Sequence, residues 1–367
     1  MREYTVAIVG TGPDPATPTV DGFAMGYRHA EAYQNSDRCE IVACADIVPE
    51  NADAFATEFD VPTARVYEDY RELLREVEPD IVSVTVPPQI HEDIVVDCAR
   101  SDVVEAIHCE KPMAHTWASA CRMVRECSRR EVQLTFNRQR RFGRVFTEAD
   151  RLVEEGTIGE LRRIEIGWGD FYDTGAHTID LAGMFTDDCS PEWVIAQLDY
   201  RDEDVRFGAH QENQMWAQWR YSNGVHGILS TGAGDGMLES AFVLRGTDGA
   251  VRIDVEDGPM VALDRNGTRE SIDVGEETIH ASGLEEDRFG SLFHDRVVDH
   301  LLECLDTGEE PAISGQVGLN TAEILFAGYE SVRKRGRVDL PLLIDDNPLE
   351  SMVSSGELTP EPQSEDD

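Results

Sequence analysis

The first 137 residues alternate short apolar runs with longer stretches of helical periodicity, and this alternation restricts the fold more than any other feature. The predicted strands cover residues 4–9, 40–45, 80–86, 103–108 and 132–136. The predicted helices cover residues 26–34, 49–58, 68–77, 90–100 and 116–129. Strands separated by helices pair in parallel, because each crossover helix returns the chain to the same end of the sheet. The sequence therefore predicts an α/β Rossmann domain with a doubly wound parallel sheet over residues 1–137.

The pattern changes after residue 137, where a helix ending near residue 156 is followed by consecutive strands. These strands are predicted at residues 161–168, 193–200, 214–221, 225–231 and 240–245, and two helices at 292–305 and 317–334. Consecutive strands without crossover helices pair antiparallel. We expect an α+β substrate and oligomerisation domain over 138–341, built on a large, mainly antiparallel open sheet. The acidic segment 342–367, rich in Ser and Pro, is predicted to be disordered.

Charge excludes whole classes of partner. The 367 residues include 73 acidic and 32 basic side chains, a net charge of -41, and only two of the basic residues are lysines. Such a chain repels nucleic-acid phosphates and anionic membranes, so neither is expected as a partner. Concentrated salt would screen the repulsion among the carboxylates, and the composition predicts a halophilic protein.

Other features bear on location and on metal binding. The first residues form no charged leader before a long apolar segment, and nowhere do 18 apolar residues run together, so we expect a cytoplasmic protein. The eight cysteines contain no Cys-x-x-Cys pair, and no metal site is predicted.

Lys111 follows the predicted strand 103–108 directly, in the sequence Glu110-Lys111-Pro112. A lysine ammonium can exchange a proton when its pKa is shifted, whereas arginine stays protonated, so a lysine at a strand end indicates chemistry. The other lysine, Lys334, lies in an arginine-rich helix end and is predicted to be solvated.

Gly10-Thr11-Gly12, after the first strand, is typical of a turn that binds a dinucleotide pyrophosphate. The third glycine does not follow at the usual distance, and the best-placed candidate is Gly26, beyond a 13-residue stretch. Asp46 follows the second strand, where a carboxylate binds the adenosine ribose and repels a 2'-phosphate. NAD is therefore favoured over NADP, although Asp46 could instead serve the start of the helix at Pro49.

Asp173, His177 and Asp180 are spaced by four and three residues, which predicts one helical stripe of three ionisable groups. A neutral imidazole can take the proton of a substrate hydroxyl while a carboxylate orients the ring, so His177 is the leading candidate for the base. In a purely structural alternative, Asp173 caps the helix and His177 packs within it.

Together these motifs resemble the Gfo/Idh/MocA family of glucose-fructose oxidoreductases and inositol dehydrogenases. The resemblance covers nearly residues 3 to 341 and is carried by Gly10-Thr11-Gly12, Val86-Pro87-Pro88-Gln89-Ile90-His91, Glu110-Lys111-Pro112, Gly156-Thr157-Ile158-Gly159, Asp173 to His177 with Asp180, and the closing segments 311–315, 329–331 and 337–341. The family implies NAD(P)-linked oxidation or reduction of sugars and polyols, and homodimers or homotetramers.

The resemblance also implies roles for individual residues. Lys111 matches the lysine beside the nicotinamide and the substrate hydroxyl, Asp173 the substrate-binding carboxylate, and His177 the general base or acid. Pro87 and His91 match the loop that lines the cofactor, Glu110 the residue that approaches the nicotinamide side, and Asp180 a support of its helix. His29 matches a position after the glycine turn. His29 and His91 could equally cap or pack a helix end.

Two departures from the family pattern affect the site. The 13-residue stretch replaces the tight phosphate turn, and the segment between strand 161–168 and Asp173 is short, so part of the substrate wall is missing. Trp168 and Tyr172 could form an apolar sugar platform or belong to the core.

The sequence favours an NAD(P)-dependent dehydrogenase acting on a carbinol carbon of a sugar, polyol or sugar derivative. Two alternatives remain at this stage, a non-catalytic NAD and sugar sensor on the same fold and an NAD-dependent glycoside hydrolase.

Overall fold

A computed structural model of the chain describes residues 2–15, 24–280 and 292–362. Residues 16–23 of the stretch after Gly12 lie outside the described residues. The chain divides into two compact units. The first consists of Met1–Ala114, Ser119–Gln139 and Leu284–Gly318, and the second of His115–Ala118, Arg140–Gly283 and Leu319–Asp367.

The first unit contains a six-stranded parallel sheet in the order β3-β2-β1-β4-β5-β6. Its strands are β1 (Tyr4–Val9), β2 (Cys39–Ala45), β3 (Val66–Tyr67), β4 (Ile81–Val84), β5 (Ala106–Cys109) and β6 (Gln133–Phe136). The helices between them are α1 (Met25–Gln34), α2 (Pro49–Glu58), α3 (Tyr70–Val77), α4 (His91–Arg100) and α5 (Trp117–Arg129). The predicted doubly wound sheet is confirmed.

This sheet is buried on both faces, as parallel sheets are, which explains the unbroken apolar runs of its strands. In β1, residues Val6 to Val9 are all buried. A later helix, α8 (Leu292–Thr307), also belongs to this unit, although the sequence assigned residues 138–341 to the second domain. Its Val298, Leu301 and Leu302 join the core cluster with Tyr33, a contact between segments too distant in sequence for periodicity to reveal.

The second unit contains a nine-stranded sheet in the order β16-β15-β14-β13-β7-β12-β11-β8-β17. Its strands are β7 (Leu161–Ile166), β8 (Pro191–Asp199), β11 (Gln214–Tyr221), β12 (His226–Ser230), β13 (Ser240–Gly246), β14 (Gly249–Val255), β15 (Val261–Arg265), β16 (Thr268–Ile272) and β17 (Val338–Asp339). A separate hairpin pairs β9 (Val205–Arg206) with β10 (Ala209–His210). Within the nine-stranded sheet β7 and β12 pair in parallel and the other neighbours antiparallel, so the predicted mainly antiparallel sheet is confirmed.

The remaining elements are helices. They are α6 (Arg144–Glu154), α7 (Gly175–Met184), α9 (Gly315–Lys334) and α10 (Pro348–Ser354), with short 3-10 segments at Thr63–Arg65, Gln139–Phe142 and Gly232–Leu238. In the described part of the chain no helix has the length and apolar character needed to cross a membrane.

The segment after residue 341 differs from the expected disordered tail over residues 342–362. Asn347 caps α10 by accepting hydrogen bonds from the backbone N–H groups of Leu349 and Glu350, and Pro348 occupies the first turn. The Glu350 carboxylate accepts a hydrogen bond from the backbone of His210, 2.7 Å away. Asn347-Pro348 is a helix-start signal in the sequence, but the prediction of disorder was based on composition alone. Residues 363–367 lie outside the described residues.

Arg141 is the most strongly held cation of the second unit. Its guanidinium donates to both carboxylate oxygens of Asp180, at 2.6 and 2.9 Å, and to Asp188 at 2.7 and 2.9 Å. Arg141 and Asp180 are almost fully buried. A buried pair is sensitive to the loss of one partner, because the remaining charge keeps its desolvation cost without the compensating attraction.

Replacing Arg141 with Met should therefore lower the free energy of unfolding by about 3–5 kcal/mol, since Asp180 stays buried without its cation. The matched control is Arg151→Met on α6, whose half-exposed guanidinium pairs with Glu148 and Glu155 and should cost less than about 1 kcal/mol. Urea unfolding at constant KCl measures both variants. Equal losses would contradict a structural role for the buried pair.

Candidate functional site

The glycine turn after β1 is shaped for close approach of a ligand to the backbone. Gly10 and Gly12 have φ angles of +89° and +70°, a region that glycine enters without steric cost. A Cβ atom on Gly10 would lie 2.4 Å from a methyl group of Val86 and 2.9 Å from the carbonyl oxygen of Thr85. Gly10 therefore cannot be replaced without moving the strand end beside it.

Gly26, the candidate for the third glycine, lies against the glycine turn. A Cβ atom on Gly26 would lie 2.6 Å from the carbonyl oxygen of Thr11 and 3.0 Å from that of Gly10. The first turn of α1 thus packs directly against the glycine turn although the two are separated in sequence. This close packing of helix and turn is the function of the third glycine in dinucleotide sites.

Asp46 closes the turn from the end of β2. One carboxylate oxygen accepts hydrogen bonds from the hydroxyl group of Thr11 and the backbone N–H of Gly12, both at 3.0 Å. The other oxygen accepts from the backbone N–H of Val48 at 2.9 Å. Asp46 therefore orders the glycine turn and places a negative charge beside it.

A cavity of about 530 Å³ opens beside this turn. Its walls include exposed apolar side chains, among them Ile47, Val48 and Ile90. Asp46 and Pro87 also line it. An apolar slot next to a glycine turn fits an adenine ring, and a carboxylate at its edge fits the two hydroxyl groups of an unphosphorylated ribose. The residues present therefore fit NAD.

His91, by contrast, is a packed residue. It is fully buried at the start of α4, and its ring nitrogens lie 2.7 Å from the carbonyl oxygen of Val86 and 3.2 Å from that of Met113. Burial lowers the pKa of His91, and the hydrogen bonds to these carbonyls only partly offset that change. The ring thus ties the loop of Pro87 to the segment after Lys111, which agrees with the structural alternative for this histidine.

Glu110 is turned into the first unit. One oxygen lies 2.9 Å from Nε2 of His29 and 2.6 Å from the side-chain nitrogen of Asn137, and the other accepts the backbone N–H of Lys111 at 3.0 Å. Burial raises the pKa of a carboxyl, but the hydrogen bond and electrostatic interaction with His29, the charge of Lys111 and the hydrogen bond of Asn137 lower the pKa of Glu110 to about 2. Glu110 is an anion held by fixed donors.

In the second unit, His177 is buried on α7 and Asp173 lies half-buried two residues before the helix begins at Gly175. The predicted single helical stripe is therefore correct for His177 and Asp180 and wrong for Asp173. The reason is Asp170, whose carboxylate accepts the backbone N–H groups of Asp173 and Thr174 at 2.6 and 2.9 Å.

Glu212 accepts a hydrogen bond from the loop that precedes α7, and the sequence analysis did not predict this residue. Its oxygens accept the backbone N–H of Phe171 at 2.8 Å and the hydroxyl group of Tyr329 at 2.7 Å. Burial and the nearby charge of Asp170 raise the pKa of Glu212 to about 7, against those two hydrogen bonds. No sequence signal could have joined these positions, because their contacts span more than 40 and 100 residues.

Trp168 and Tyr172 have different environments. Trp168 is half-buried, with the guanidinium of Arg140 4.3 Å from its ring centre and the ring of His280 against its edge. Burial lowers the pKa of Arg140 to about 10, and the charge of Asp173 opposes that shift. Tyr172 is buried, and burial raises its pKa. Tyr172 therefore matches the packing alternative, while Trp168 is partly exposed with the guanidinium of Arg140 against its ring.

In the described residues, no group of three or more His, Cys, Asp or Glu side chains has metal-binding geometry. Each unit assembles its own part of the predicted set. The first brings together Gly10, Thr11, Gly12, Gly26 and Asp46, and the second brings together Asp173, His177 and Asp180 on one loop and helix.

Comparison with known proteins identifies both units. Residues 5–138 match the model of an oxidoreductase family, NAD-binding Rossmann fold, and residues 152–340 match that family's C-terminal alpha/beta domain. The chain is 26% identical to a myo-inositol 2-dehydrogenase of Thermotoga maritima, an alignment that covers 87% of this chain and 97% of that protein. It is 25% identical to a D-apiose dehydrogenase of Paraburkholderia graminis over 89% of this chain and 90% of that one.

A solved structure supports the fold. An oxidoreductase from Agrobacterium radiobacter, solved with NAD+, L-tartaric acid and magnesium, superposes with a TM-score of 0.73 at 21% identity. The match covers 92% of this chain and 98% of that chain.

The Gly26→Ala substitution should weaken NAD binding by at least about tenfold, because its methyl group would press on backbone atoms of the glycine turn rather than on a movable side chain. Gly336→Ala is the control, since a Cβ atom there meets only one carbonyl oxygen at 4.0 Å. Isothermal titration of each folded variant with NAD measures the effect. An affinity within twofold of the parent protein would rule out the proposed packing role of Gly26.

Glu212→Gln should remove a pH dependence of stability. The folded-state pKa of about 7 exceeds the ordinary 4.5, so protonated Glu212 stabilises the fold. That stabilisation is complete below pH 4.5 and is lost as the pH rises through 7, a change of up to about 3 kcal/mol.

The Gln variant should therefore gain stability over the parent protein between pH 5 and 8, measured by urea unfolding at several pH values. Glu256→Gln, at an exposed site of the same unit, should leave the parent profile unchanged. Parallel profiles of the Glu212→Gln variant and the parent protein would refute the assignment.

Proposed function

Because the chain belongs to the Gfo/Idh/MocA oxidoreductase family, we propose that it is an NAD-dependent dehydrogenase acting on a carbinol carbon of a sugar, polyol or sugar derivative. The observation that carries the proposal is the pairing of two features in one chain. One is a glycine turn and apolar cavity that fit NAD, and the other is a proton-exchanging set, Lys111, Asp173 and His177, at the family's motif positions.

The reacting groups have separate tasks. The glycine turn and Asp46 would hold NAD, which would supply the acceptor for a hydride from the substrate carbon. His177 takes the proton of the substrate hydroxyl as the C–O bond becomes a C=O bond, and the ammonium of Lys111 stabilises the negative charge that develops on that oxygen. Asp173 binds a neighbouring hydroxyl group of the substrate. In the reverse direction His177 returns the proton.

The substrate class is supported by the relatives and by the site. The matched proteins include dehydrogenases named for myo-inositol and D-apiose. Trp168 offers a partly exposed ring, of the kind that packs on the apolar face of a sugar, and Arg140 adds a cation above it. Asp46 beside the cavity supports NAD over NADP, because a carboxylate repels a 2'-phosphate.

A homodimer or homotetramer is proposed from the outer face of the nine-stranded sheet. Trp216 in β11 is 40% exposed on this face, and large exposed aromatic groups on an open sheet are typical of a contact surface. We further propose that the protein works in a salt-rich cytoplasm, because 73 acidic residues against 32 basic ones need screening.

The test is formation of reduced nicotinamide in molar KCl, with NAD and NADP supplied separately against pentoses, hexoses, inositols and sugar acids. One substrate class should give turnover, and NAD should be preferred. In the Lys111→Ala and His177→Ala variants turnover should fall by at least about 100-fold, while NAD affinity stays within a few-fold of the parent protein.

The control is Lys334→Ala, the chain's other lysine, whose exposed ammonium pairs with Glu330 3.0 Å away. It should keep full turnover. Unchanged turnover in both site variants would overturn the residue assignment. NAD binding without turnover on any substrate would favour a sensor, and release of a free sugar from glycosides at constant total NAD would favour the glycosidase.

A further inference from the structure

A buried polar cluster lies behind Lys111 in the first unit, and none of the proposed catalytic steps uses it. It consists of three imidazole rings and an amide gathered around one carboxylate, supplied by α1, β5, α8 and the segments that follow β5 and β6: His29, His108, His294, Asn137 and Glu110. All five are at most 5% exposed. Placing so many polar groups in a core costs free energy unless each is hydrogen-bonded. The cluster therefore indicates a role beyond core packing.

The hydrogen bonds assign a direction to this cluster. Glu110 is ionised and can only accept, so His29 donates from Nε2 and Asn137 donates from its amide nitrogen. The same amide nitrogen lies 3.2 Å from Nε2 of His294, which must then be the accepting, unprotonated nitrogen. Within the described residues the amide oxygen of Asn137 has no hydrogen-bond donor. An amide that leaves its oxygen unsatisfied in order to face a carboxylate indicates that the carboxylate dominates the cluster.

The second layer fixes the ring of His29. Its Nδ1 lies 2.7 Å from the hydroxyl group of Ser83 on β4, and the ring of His108 lies beside it with centres 4.9 Å apart. His108 in turn lies 2.9 Å from the hydroxyl group of Thr135, which donates to the carbonyl oxygen of Ile107. The hydroxyl of Thr135 therefore accepts from His108. Burial and the neighbouring His29 lower the pKa of His108 well below its ordinary value, so this ring is neutral.

The hydrogen bonds of the cluster lead to the backbone of Lys111. The second oxygen of Glu110 accepts the backbone N–H of Lys111. His29 belongs to α1, the helix whose Gly26 packs on the glycine turn. A continuous set of contacts therefore runs from the turn that fits NAD, through α1 and His29, to the backbone of Lys111.

We propose that His29 and Asn137 are positioning residues, which hold the ionised Glu110 in place so that its second oxygen fixes the backbone of Lys111. The family resemblance suggested that Glu110 approaches the nicotinamide. In this assignment Glu110 instead acts through the lysine beside it. The catalytic part of this inference rests on the proposed function, whereas its structural part can be tested without any substrate.

The structural arm measures hydrogen exchange at the backbone amide of Lys111 by mass spectrometry of folded, full-length protein. His29→Leu removes one donor to Glu110 and should speed exchange at Lys111 at least tenfold. His29→Gln, whose amide can donate in the same direction, should restore slow exchange. Asn137→Leu should speed exchange as well.

The control is His300→Leu on α8, which removes a partly buried histidine of the same unit that accepts the backbone N–H of Ala312 at 2.9 Å. Its exchange at Lys111 should match that of the parent protein. If His29→Leu does not fold, Ser83→Ala removes only the hydroxyl behind His29 and should speed exchange in the same direction by a smaller factor. Parent-like exchange at Lys111 in every folded cluster variant would overturn the inference.

The catalytic arm uses the substrate found by the nicotinamide assay. His29→Leu should lower kcat at least tenfold while KM for the substrate and Kd for NAD stay within twofold, and His29→Gln should recover most of kcat. A purely structural role would instead lower the amount of active protein, with kcat per active site unchanged, and would also overturn the inference. If exchange at Lys111 is faster in the cluster variants but the parent protein turns over no substrate, the positioning role is retained and the proposed function is rejected.

Discussion

A buried carboxylate must be supplied with fixed hydrogen-bond donors, and this requirement shapes both halves of the molecule. Glu110 receives donors from His29, Asn137 and the backbone of Lys111. In the second unit, Asp180 receives the guanidinium of Arg141. Because a carboxylate without such donors would be too costly to bury, the segments that supply them must come together for the chain to fold. The same contacts then hold the candidate catalytic residues, since Lys111 adjoins Glu110 and His177 shares a helix with Asp180.

The carboxylates differ in how well they are compensated, and the difference follows from the type of donor. Three fixed donors, from His29, Asn137 and the backbone of Lys111, hold Glu110, and its pKa falls to about 2 despite its burial. Glu212 accepts from a phenol and one backbone N–H, and burial with the nearby charge of Asp170 raises its pKa to about 7. Glu110 thus keeps its charge throughout the range in which proteins work. Glu212 is the member of the pair whose charge changes near neutral pH, and it lies under the loop that precedes His177.

The sequence predicted those features that depend on neighbours in the chain. The alternation of apolar runs with stretches of helical periodicity predicted the parallel sheet. No range was predicted for β14, although this strand alternates buried Val251 and Ile253 with polar Arg252 and Asp254. The packing of α8 in the first unit could not be predicted, because it depends on contacts of Leu301 and Leu302 with residues such as Tyr33 that lie far away in the sequence.

The site shows the same division more sharply. Spacing predicted that His177 and Asp180 share a helix, and both lie on α7. Gly26 was the candidate third glycine despite the 13-residue stretch before it, and it packs against the glycine turn. Spacing could not decide which of two acids, Asp170 or Asp173, would accept the backbone N–H groups before α7. Either residue has the right chemistry, and in the structure it is Asp170 that accepts the backbone N–H groups of Asp173 and Thr174. The charge of Asp173 instead opposes the lowering of the pKa of Arg140 by burial. Which of two neighbouring acids caps a helix thus depends on three-dimensional contacts, which the spacing of the residues does not contain.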